Sequence, residues 1–377
     1  MIGVDRAVKA GDGGGRFLVA RQPRPAVEWD PPEPTADTGY DVRYFGEILA
    51  SVGRQLGRPD LTFVLTWDVE ALPETGRHVV AIVQGDEDAR IPRWAGQVLA
   101  TFKCYGARPF RMPIGTRPGI TDALELAHYL RRLLLWLPGA LTVGAPAKLA
   151  RRRLPIFPLP LGYYNQEARP MLAPRDRRWL ISFAGSGVVE ERARVGAGQP
   201  LAALRRALGT PKQRSRARMS AALAGLERQL PPGSVAMVTL EDFPSLLPGH
   251  DGDARSLTAS YSDLLAGSCI SLVPRGNSAE TFRFFEALRA GCIVICEPLP
   301  DHWFYRGAPV ITVRDWSELP AVVLPLVRDQ VRLEELHLAT LDWWRTRCSE
   351  DAVAAYVHER VVAELAVSDI GTRMAPR

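Results

Sequence analysis

Residues 268–295 constrain the fold of this chain more than any other segment. An apolar, strand-like run at 268–273 ends in a Pro-Arg-Gly turn at 274–276, and an amphipathic, helix-like run follows at 282–288. A second apolar run comes directly after Gly291. Two buried strands joined by a helix are typical of a parallel sheet with a helical crossover. The segment therefore predicts an α/β fold.

The length of the chain predicts two domains, because 377 residues exceed the size at which one hydrophobic core keeps growing. The apolar share of 46% and the charged share of 24% are those of an ordinary globular protein. The net charge of +5 is modest, and arginine-rich runs lie at residues 151–153, 175–178 and 212–218. We interpret each run as a solvated face; phosphate, anionic lipid and nucleic acid are the chemical alternatives.

Cysteines and apolar runs predict the compartment. The five cysteines have neither the spacing of a disulfide framework nor that of a zinc site, which fits a reducing compartment. The first 20 residues lack the apolar stretch of a signal peptide, and no segment is apolar over the roughly 20 residues that a membrane span needs. We expect a cytoplasmic protein that is at most peripheral at the inner face of the membrane.

Composition along the chain predicts four regions. Residues 1–40, rich in glycine and proline, are expected to be a flexible leader. A first α/β domain is expected at 41–165 and a second at 175–349, with a proline-rich connection at 155–170. Residues 350–377 are expected to form a terminal helix and a tail.

Strand and helix patterns alternate in both domains, as in two α/β domains with a ligand cleft between them. In the first domain we expect strands at 61–66 and 78–83, a strand or a helix at 95–102, and a helix at 121–137 with Thr121 as N-cap. The elements expected later are strands at 179–183, 234–240, 269–273, 292–295 and 310–313, and helices at 200–208, 216–230, 260–265, 282–288, 316–326, 330–347 and 350–365.

The turn at 274–276 carries groups that bind an anionic phosphate. Arg275 directly follows a strand, and its guanidinium can bind two phosphate oxygens at once. Gly276 allows a tight turn or a close approach to a ligand. Asn277 is the predicted N-cap of the next helix, with Glu280 three residues later as in a capping box. The amides of that helix start would add to the anion site.

Other polar residues complete the predicted donor site. Arg283 and Glu286 lie three residues apart and share a helix face, where they either pair with each other or face a ligand. A carboxylate at Glu286 suits the hydroxyls of a sugar. After the strand at 179–183, the glycine turn at Gly185 and Ser186 either brings backbone amides to a diphosphate or is an ordinary strand-to-helix turn.

These residues resemble the exostosin-type glycosyltransferase domain. The similarity consists of Pro-Arg-Gly at 274–276, Phe-Arg-Phe-Phe-Glu-Ala-Leu at 282–288, Gly-Cys-Ile at 291–293 and the strand phrase at 180–186. It implies the GT-B fold, two Rossmann-like parallel-sheet domains facing across a cleft, with an acceptor-side domain at 41–165, a nucleotide-sugar donor domain at 175–349 and the terminal helix at 350–377 packed back on the first domain. It implies sugar transfer from a nucleotide-diphosphate donor without a bound metal. It also implies Arg275 near the diphosphate, Glu286 near the ribose, and Thr281 where the family usually has a serine.

Two phrases depart from the family's pattern. Residues 293–295 lack the proline that the family commonly has after Gly-Cys, and Asp-His-Trp-Phe at 301–304 replaces its Leu-Pro-Phe phrase. The first half of the chain contains no phrase of the family. The acceptor and the linkage are therefore not predicted.

Acidic residues after the first-domain strands are the predicted general base. An inverting transfer needs a carboxylate or a histidine beside the acceptor hydroxyl, across the cleft from the donor. Asp86 follows the strand at 78–83 and Asp68 follows the strand at 61–66. Asp-x-Asp spacings at 86–88 and 251–253 are short and common patterns, and the six histidines have no ligand spacing, so no metal site is expected.

We therefore expect an inverting hexosyl- or pentosyltransferase that needs no cofactor. Its partners would be a nucleotide-diphosphate sugar, as co-substrate, and a hydroxyl of a glycan, lipid-linked or small-molecule acceptor. Dehydrogenases and ATPases are disfavoured, because no dinucleotide fingerprint or phosphate loop is present. The alternatives are a nucleotide-sugar epimerase of the same fold and an inactive nucleotide-binding protein. No nucleic-acid partner is expected, since the arginine runs lack interleaved aromatics.

Overall fold

The structure, a computed structural model, describes residues 14–21, 23–33, 35, 38, 42–113, 119–149, 153–164, 166–185, 209–239 and 253–373. The strands of its first sheet have the order β2-β1-β3-β4-β5-β6. β2 pairs with β1 in antiparallel and the other neighbours pair in parallel. The strands are β1 Arg16–Ala20, β2 Val27–Glu28, β3 Thr62–Thr66, β4 Gly76–Val83, β5 Val98–Lys103 and β6 Ile156–Pro158.

The second sheet has the order β11-β10-β9-β7-β8, and its neighbours pair in parallel. Its strands are β7 Trp179–Gly185, β8 Val235–Thr239, β9 Ser268–Val273, β10 Ile293–Cys296 and β11 Ile311–Thr312. The α-helices are α1 Arg43–Leu56, α2 Ile120–Gly139, α3 Ala145–Leu149, α4 Pro211–Glu227, α5 Asp253–Ala266, α6 Phe282–Arg289, α7 Leu319–Leu326, α8 Gln330–Trp343 and α9 Glu350–Arg373. Two mainly parallel sheets with helical crossovers confirm the predicted α/β fold.

The burial of the central strands explains why their sequences are apolar throughout. Every residue of β3, β5, β9 and β10 is buried, as expected for parallel strands that are covered on both faces. One core cluster includes side chains from both sheets and from α9. The last helix packs on α1 and β5, and the Tyr44 hydroxyl of α1 donates to the Cys348 carbonyl oxygen at 2.6 Å. The second half of the chain thus completes the core of the first domain.

The flexible leader predicted for residues 1–40 is wrong over residues 16–20. These residues form β1, which lies between β2 and β3 and pairs with β3 along its whole length. Leu18, Val19 and Ala20 are buried. The short apolar run was overlooked because the surrounding glycines and prolines dominate the local composition.

The segment at 95–102, predicted as a strand or a helix, is a strand from Val98 onward, which is β5. Two further predictions need correction. Thr121 is not the N-cap of α2, since that helix begins at Ile120 after Gly119. The connection at 155–170 contains β6, an edge strand of the first sheet. The helix predicted at 200–208 lies outside the described residues.

Candidate functional site

The candidate site lies where the carboxyl ends of the two sheets meet. The first domain contributes the loops after β4 and β5 and the helix α2, and the second contributes the loops after β9 and β10. His128 Nε2 of α2 lies 3.1 Å from the Asn277 carbonyl oxygen. A Cβ on Gly106 would lie 2.9 Å from His302 Nε2. Ligands of open α/β sheets bind at such carboxyl ends. We call this region the cleft.

Arg275 lies two residues after the end of β9, and 4% of its side chain is exposed. Nη1 donates to Glu125 Oε2 at 2.6 Å, and Nη2 donates to the Asn277 carbonyl oxygen at 3.0 Å. The Nε of Arg275 is buried and has no hydrogen-bond partner among the described residues. A buried donor without an acceptor costs about 1–3 kcal/mol. This nitrogen therefore marks a place where a bound anion would be stabilised.

Glu125 of α2 joins two arginines of the second domain. Its Oε2 accepts from Arg275, and its Oε1 accepts from Arg214 Nη2 at 2.8 Å. A carboxylate between two guanidinium groups occupies the kind of position that a phosphate would take. No sequence pattern indicated this contact, because Glu125 and Arg275 lie 150 residues apart.

Gly185 and Arg283, both predicted donor-binding residues, lie together at the end of β7. A Cβ on Gly185 would lie 2.8 Å from Arg283 Nη2, so glycine leaves room for the guanidinium. The guanidinium carbon lies 5.2 Å from the centre of the Phe183 ring. Arg283 Nε is also buried without a partner among the residues described. Ser186, predicted beside Gly185, lies outside the described residues.

The helix after the Pro-Arg-Gly turn begins later than predicted. α6 starts at Phe282 with Thr281 at the N-cap, so the prediction of Asn277 as N-cap and Glu280 as its capping-box partner is wrong. The Thr281 hydroxyl makes no cap hydrogen bond and is buried without a partner in the described part of the chain. A Cβ on Gly276 would meet nothing closer than 3.5 Å. The fold does not need glycine there for steric reasons, and a contact of Gly276 with a ligand stays a prediction.

Glu286 is 3% exposed and binds the connection between the sheets. Its Oε1 accepts from the Tyr164 backbone N–H at 3.0 Å, and its Oε2 accepts from the Tyr261 hydroxyl at 2.7 Å. Burial and the nearby Glu286 raise the pKa of Tyr261, so this hydroxyl stays a donor. Glu286 thereby holds the second domain to the connection, and its contact with a ribose stays a prediction.

Glu297 fixes the backbone of the Arg275 turn, although no sequence pattern was assigned to it. It follows β10 directly and is 6% exposed. Its Oε2 accepts from the Arg275 backbone N–H at 3.0 Å and also from the Ser215 hydroxyl. Trp316 Nε1 donates to that hydroxyl at 3.2 Å. A glutamate directly after a buried strand is the signal that could have identified it.

The two predicted general bases have other partners. Asp86 is 1% exposed at its side chain and pairs with Lys103 at 3.0 Å and Arg90 at 2.8 Å. Burial opposes its ionisation, but the two cations lower its pKa overall. Asp68 Oδ1 accepts from the backbone N–H of Glu70 at 2.7 Å. A carboxylate of lowered pKa is a weak base. This geometry favours a structural role for Asp86, and the base role of either aspartate stays a prediction.

Two glutamates at the cleft have raised pKa values. Glu87 is exposed, and its carboxyl group lies near Asn277, Lys212 and Arg132. Partial burial of this carboxyl group raises its pKa, against the opposing effects of Asn277 and Lys212. Glu280 is 4% exposed, and burial raises its pKa to about 7 despite Lys103 and the Tyr305 hydroxyl. A carboxyl group whose pKa is near neutral, as in Glu280, is suited to general acid–base chemistry.

The described residues form neither a metal-ligand cluster nor a membrane-spanning helix. No group of three or more His, Cys, Asp or Glu side chains in that part of the chain could hold a metal ion. None of the helices described there is both long and apolar enough to cross a membrane. The five cysteines are buried and unpaired with one another.

Sequence comparison finds a limited similarity to exostosins. No family model matches the chain. An Exostosin-1 homolog of Caenorhabditis elegans is 38% identical over 80 residues, which are 21% of this chain and 19% of that protein. The chain therefore resembles the exostosins, as its motifs predicted, over about a fifth of the length of this relative.

Structure comparison finds distant similarity to solved glycosyltransferases. The GtfA/B complex has a TM-score of 0.40 at 11% identity, over 84% of this chain and 60% of that chain. WaaG, a glycosyltransferase involved in lipopolysaccharide biosynthesis, has a TM-score of 0.39 at 12% identity, over 84% of this chain and 95% of that chain. SnogD from Streptomyces nogalater has a TM-score of 0.30 at 14% identity, over 87% of this chain and 82% of that chain.

Proposed function

We propose that the chain is a glycosyltransferase. It transfers a hexose or a pentose from a nucleotide-diphosphate sugar to a hydroxyl of a glycan, lipid-linked or small-molecule acceptor. The observation that carries the proposal is the buried Arg275 at the end of β9, whose Nε has no partner among the described residues. The local similarity to an exostosin homolog supports the same chemistry.

The diphosphate of the donor binds to the arginines of the second domain. Its oxygens take the place of the Glu125 carboxylate between Arg275 and Arg214, and Arg283 contributes a third guanidinium beside Gly185. These fixed cations stabilise the charge that develops on the leaving diphosphate, which makes the transfer independent of a metal. Gly276 and the Thr281 hydroxyl contact the same ligand.

The acceptor binds on the first-domain side of the cleft. Its hydroxyl oxygen forms a bond to the anomeric carbon while the bond from that carbon to the diphosphate oxygen breaks. A single displacement of this kind inverts the anomeric centre. The hydroxyl proton passes to a carboxylate of the first domain, for which Glu87 is better suited than Asp86 because its pKa is raised rather than lowered.

Thermal shifts with a panel of nucleoside diphosphates and their sugars, in chelator, test this function. We expect one base to raise the Tm of the wild type, since a ligand at a hundred times its Kd adds about 2.7 kcal/mol. Arg275→Ala should abolish the shift. Arg345→Ala is the matched control, because Arg345 is an exposed arginine on the second domain that pairs with Asp342.

The outcomes separate the alternatives. No shift from a folded wild-type protein would overturn the proposal. Binding without turnover on any acceptor would favour an inactive nucleotide-binding protein, and a sugar isomer formed without acceptor would favour an epimerase. The proposed location is the cytoplasm, and a lipid-linked acceptor would bring the enzyme to the inner face of the membrane.

A further inference from the structure

The helical segment α2–α3 turns its polar side toward the protein and its apolar side toward solvent. A π-helical turn at Ala140–Gly144 joins the two helices, so the segment runs from residue 120 to residue 149. Glu125, His128 and Trp136 point inward and bind Arg275, Asn277 and Ala107. This is the reverse of the usual surface helix, whose apolar side faces the core.

The solvent-facing side of this segment is a continuous apolar stripe. From Leu126 to Leu141 its large apolar side chains recur every three or four residues, which places them on one face of the helix, and Leu149 follows eight residues later. Leu134 is 71% exposed, Leu141 60% and Leu149 89%. We call this surface the outer face; its members are Leu126, Leu130, Leu134, Leu137, Leu141 and Leu149. At about 1.5 Å per residue the segment is about 45 Å long, which is too large a patch to be incidental.

The charges within the segment that carries the outer face have one sign. Residues 126–153 contain no aspartate or glutamate and six lysines or arginines: Arg131, Arg132, Lys148, Arg151, Arg152 and Arg153. Arg132 is buried and donates inward to the Glu87 carbonyl oxygen, and the exposed Arg131 pairs with Asp88 of the first domain. The other four cations lie close to Leu149 in the sequence. An apolar stripe that is followed by cations fits a surface that is apolar inside and anionic outside. A second copy of this chain would bring the same cations together, which disfavours a symmetric dimer.

We propose that the outer face lies on the surface of an anionic lipid bilayer. The helix rests parallel to the membrane plane, with its leucines in the acyl boundary and Lys148 and Arg153 at the phosphates. Because the opposite side of the same helix contributes Glu125 and His128 to the cleft, docking places the cleft directly above the lipid headgroups.

Flotation with vesicles tests the proposal, and it needs neither donor nor acceptor, so its result is independent of the transfer reaction. The wild type should bind phosphatidylcholine vesicles that contain phosphatidylglycerol, and less at high salt. The double substitution Leu134→Gln and Leu141→Gln should bind at least about tenfold more weakly, because two apolar side chains leave the membrane. Its matched control is Val331→Gln with Leu338→Gln, two exposed positions of α8.

A second variant measures the contribution of positive charge to vesicle binding. Lys148→Gln should bind vesicles with phosphatidylglycerol about fivefold more weakly and pure phosphatidylcholine equally. Equal binding by the wild type and the leucine variant would overturn the proposal. The proposal would also be overturned if the wild type formed a concentration-dependent dimer that the leucine variant loses. The outer face would then bind a second copy of the chain and not a lipid bilayer.

Discussion

At the scale of single residues, Glu125 competes with any anion for the arginines of the second domain. Its two oxygens hold Arg275 and Arg214 at 2.6 and 2.8 Å. Glu125→Gln removes the negative charge and leaves the guanidinium groups to the ligand. We expect the variant to bind the stabilising nucleoside diphosphate about tenfold more tightly, measured by calorimetric titration.

The matched control for this prediction is Glu335→Gln, an exposed ion-paired glutamate of α8, which should leave the affinity unchanged. The variant should also lose some stability without ligand, because two arginines lose a charged partner. Weaker binding by Glu125→Gln would show instead that the carboxylate orients Arg275 for the ligand.

The raised pKa of Glu280 makes the stability of the fold depend on pH. Its folded pKa is about 7 and its ordinary value is 4.5, so its neutral form is favoured in the folded state. The stabilisation is complete below about pH 4.5 and is lost as the pH rises through 7. Glu280→Gln should remove this loss of stability. The free energy of unfolding of the variant should therefore exceed that of the wild type by up to about 3 kcal/mol above pH 7.

Denaturant unfolding at pH 5 and pH 8 checks this prediction. The two proteins should differ little at pH 5, and the variant should be the more stable one at pH 8. A variant that is less stable at pH 8 would show that ionised Glu280 pairs with Lys103 strongly enough to offset its burial.

The sequence could predict only the local half of the site. Arg275, Thr281 and Arg283 were found because one short motif sets their spacing. Glu125, Arg214 and Glu297 were missed, because their proximity to Arg275 depends on how α2, α4 and β10 are arranged in space. Packing of that kind has no signature in the local sequence.

At the scale of elements, apolar runs in the sequence predicted most strands of both sheets, because buried parallel strands are apolar throughout. Sequence-based prediction failed where the context of a strand was misleading, as at β1 among glycines and prolines and at β6 among prolines. It also placed the start of α6 too early, because Asn277 and Glu280 have the spacing of a capping box. In the structure Glu280 accepts from the Tyr305 hydroxyl at 3.3 Å instead.

The contact between α1 and the connection after β6 gives a test at this scale. Gly162 has φ +68°, and a Cβ there would lie 2.1 Å from the ring of Tyr44, which is fully buried in α1. Gly162→Ala should cost about 3 kcal/mol or more, since it adds backbone strain to overpacking. Gly57→Ala is the matched control: φ is +56° and nothing lies within 4 Å, so it should cost only about 1 kcal/mol. Equal costs in denaturant unfolding would contradict the packing explanation.

At the scale of the whole molecule, α9 ties the two sheets into one folding unit. Val353, Val357 and Val361 are fully buried on the helix that packs against α1 and β5. Val357→Ala should lower the free energy of unfolding by about 2 kcal/mol, whereas Val362→Ala, at a position that is 45% exposed, should have almost no effect. Calorimetry should show one transition that shifts as a whole; two separate transitions would contradict the coupling.

The position of α9 also determines the order of events on the ribosome. Strands β1 to β6 are complete by Pro158, but the helix that covers α1 and β5 is translated only after the whole second sheet. At 5–20 residues per second this delay is roughly ten to forty seconds. During it, the side of α1 that packs on α9 has no cover, and we expect the nascent chain to be a substrate for chaperones. The domain that is translated first is therefore the last to be completed.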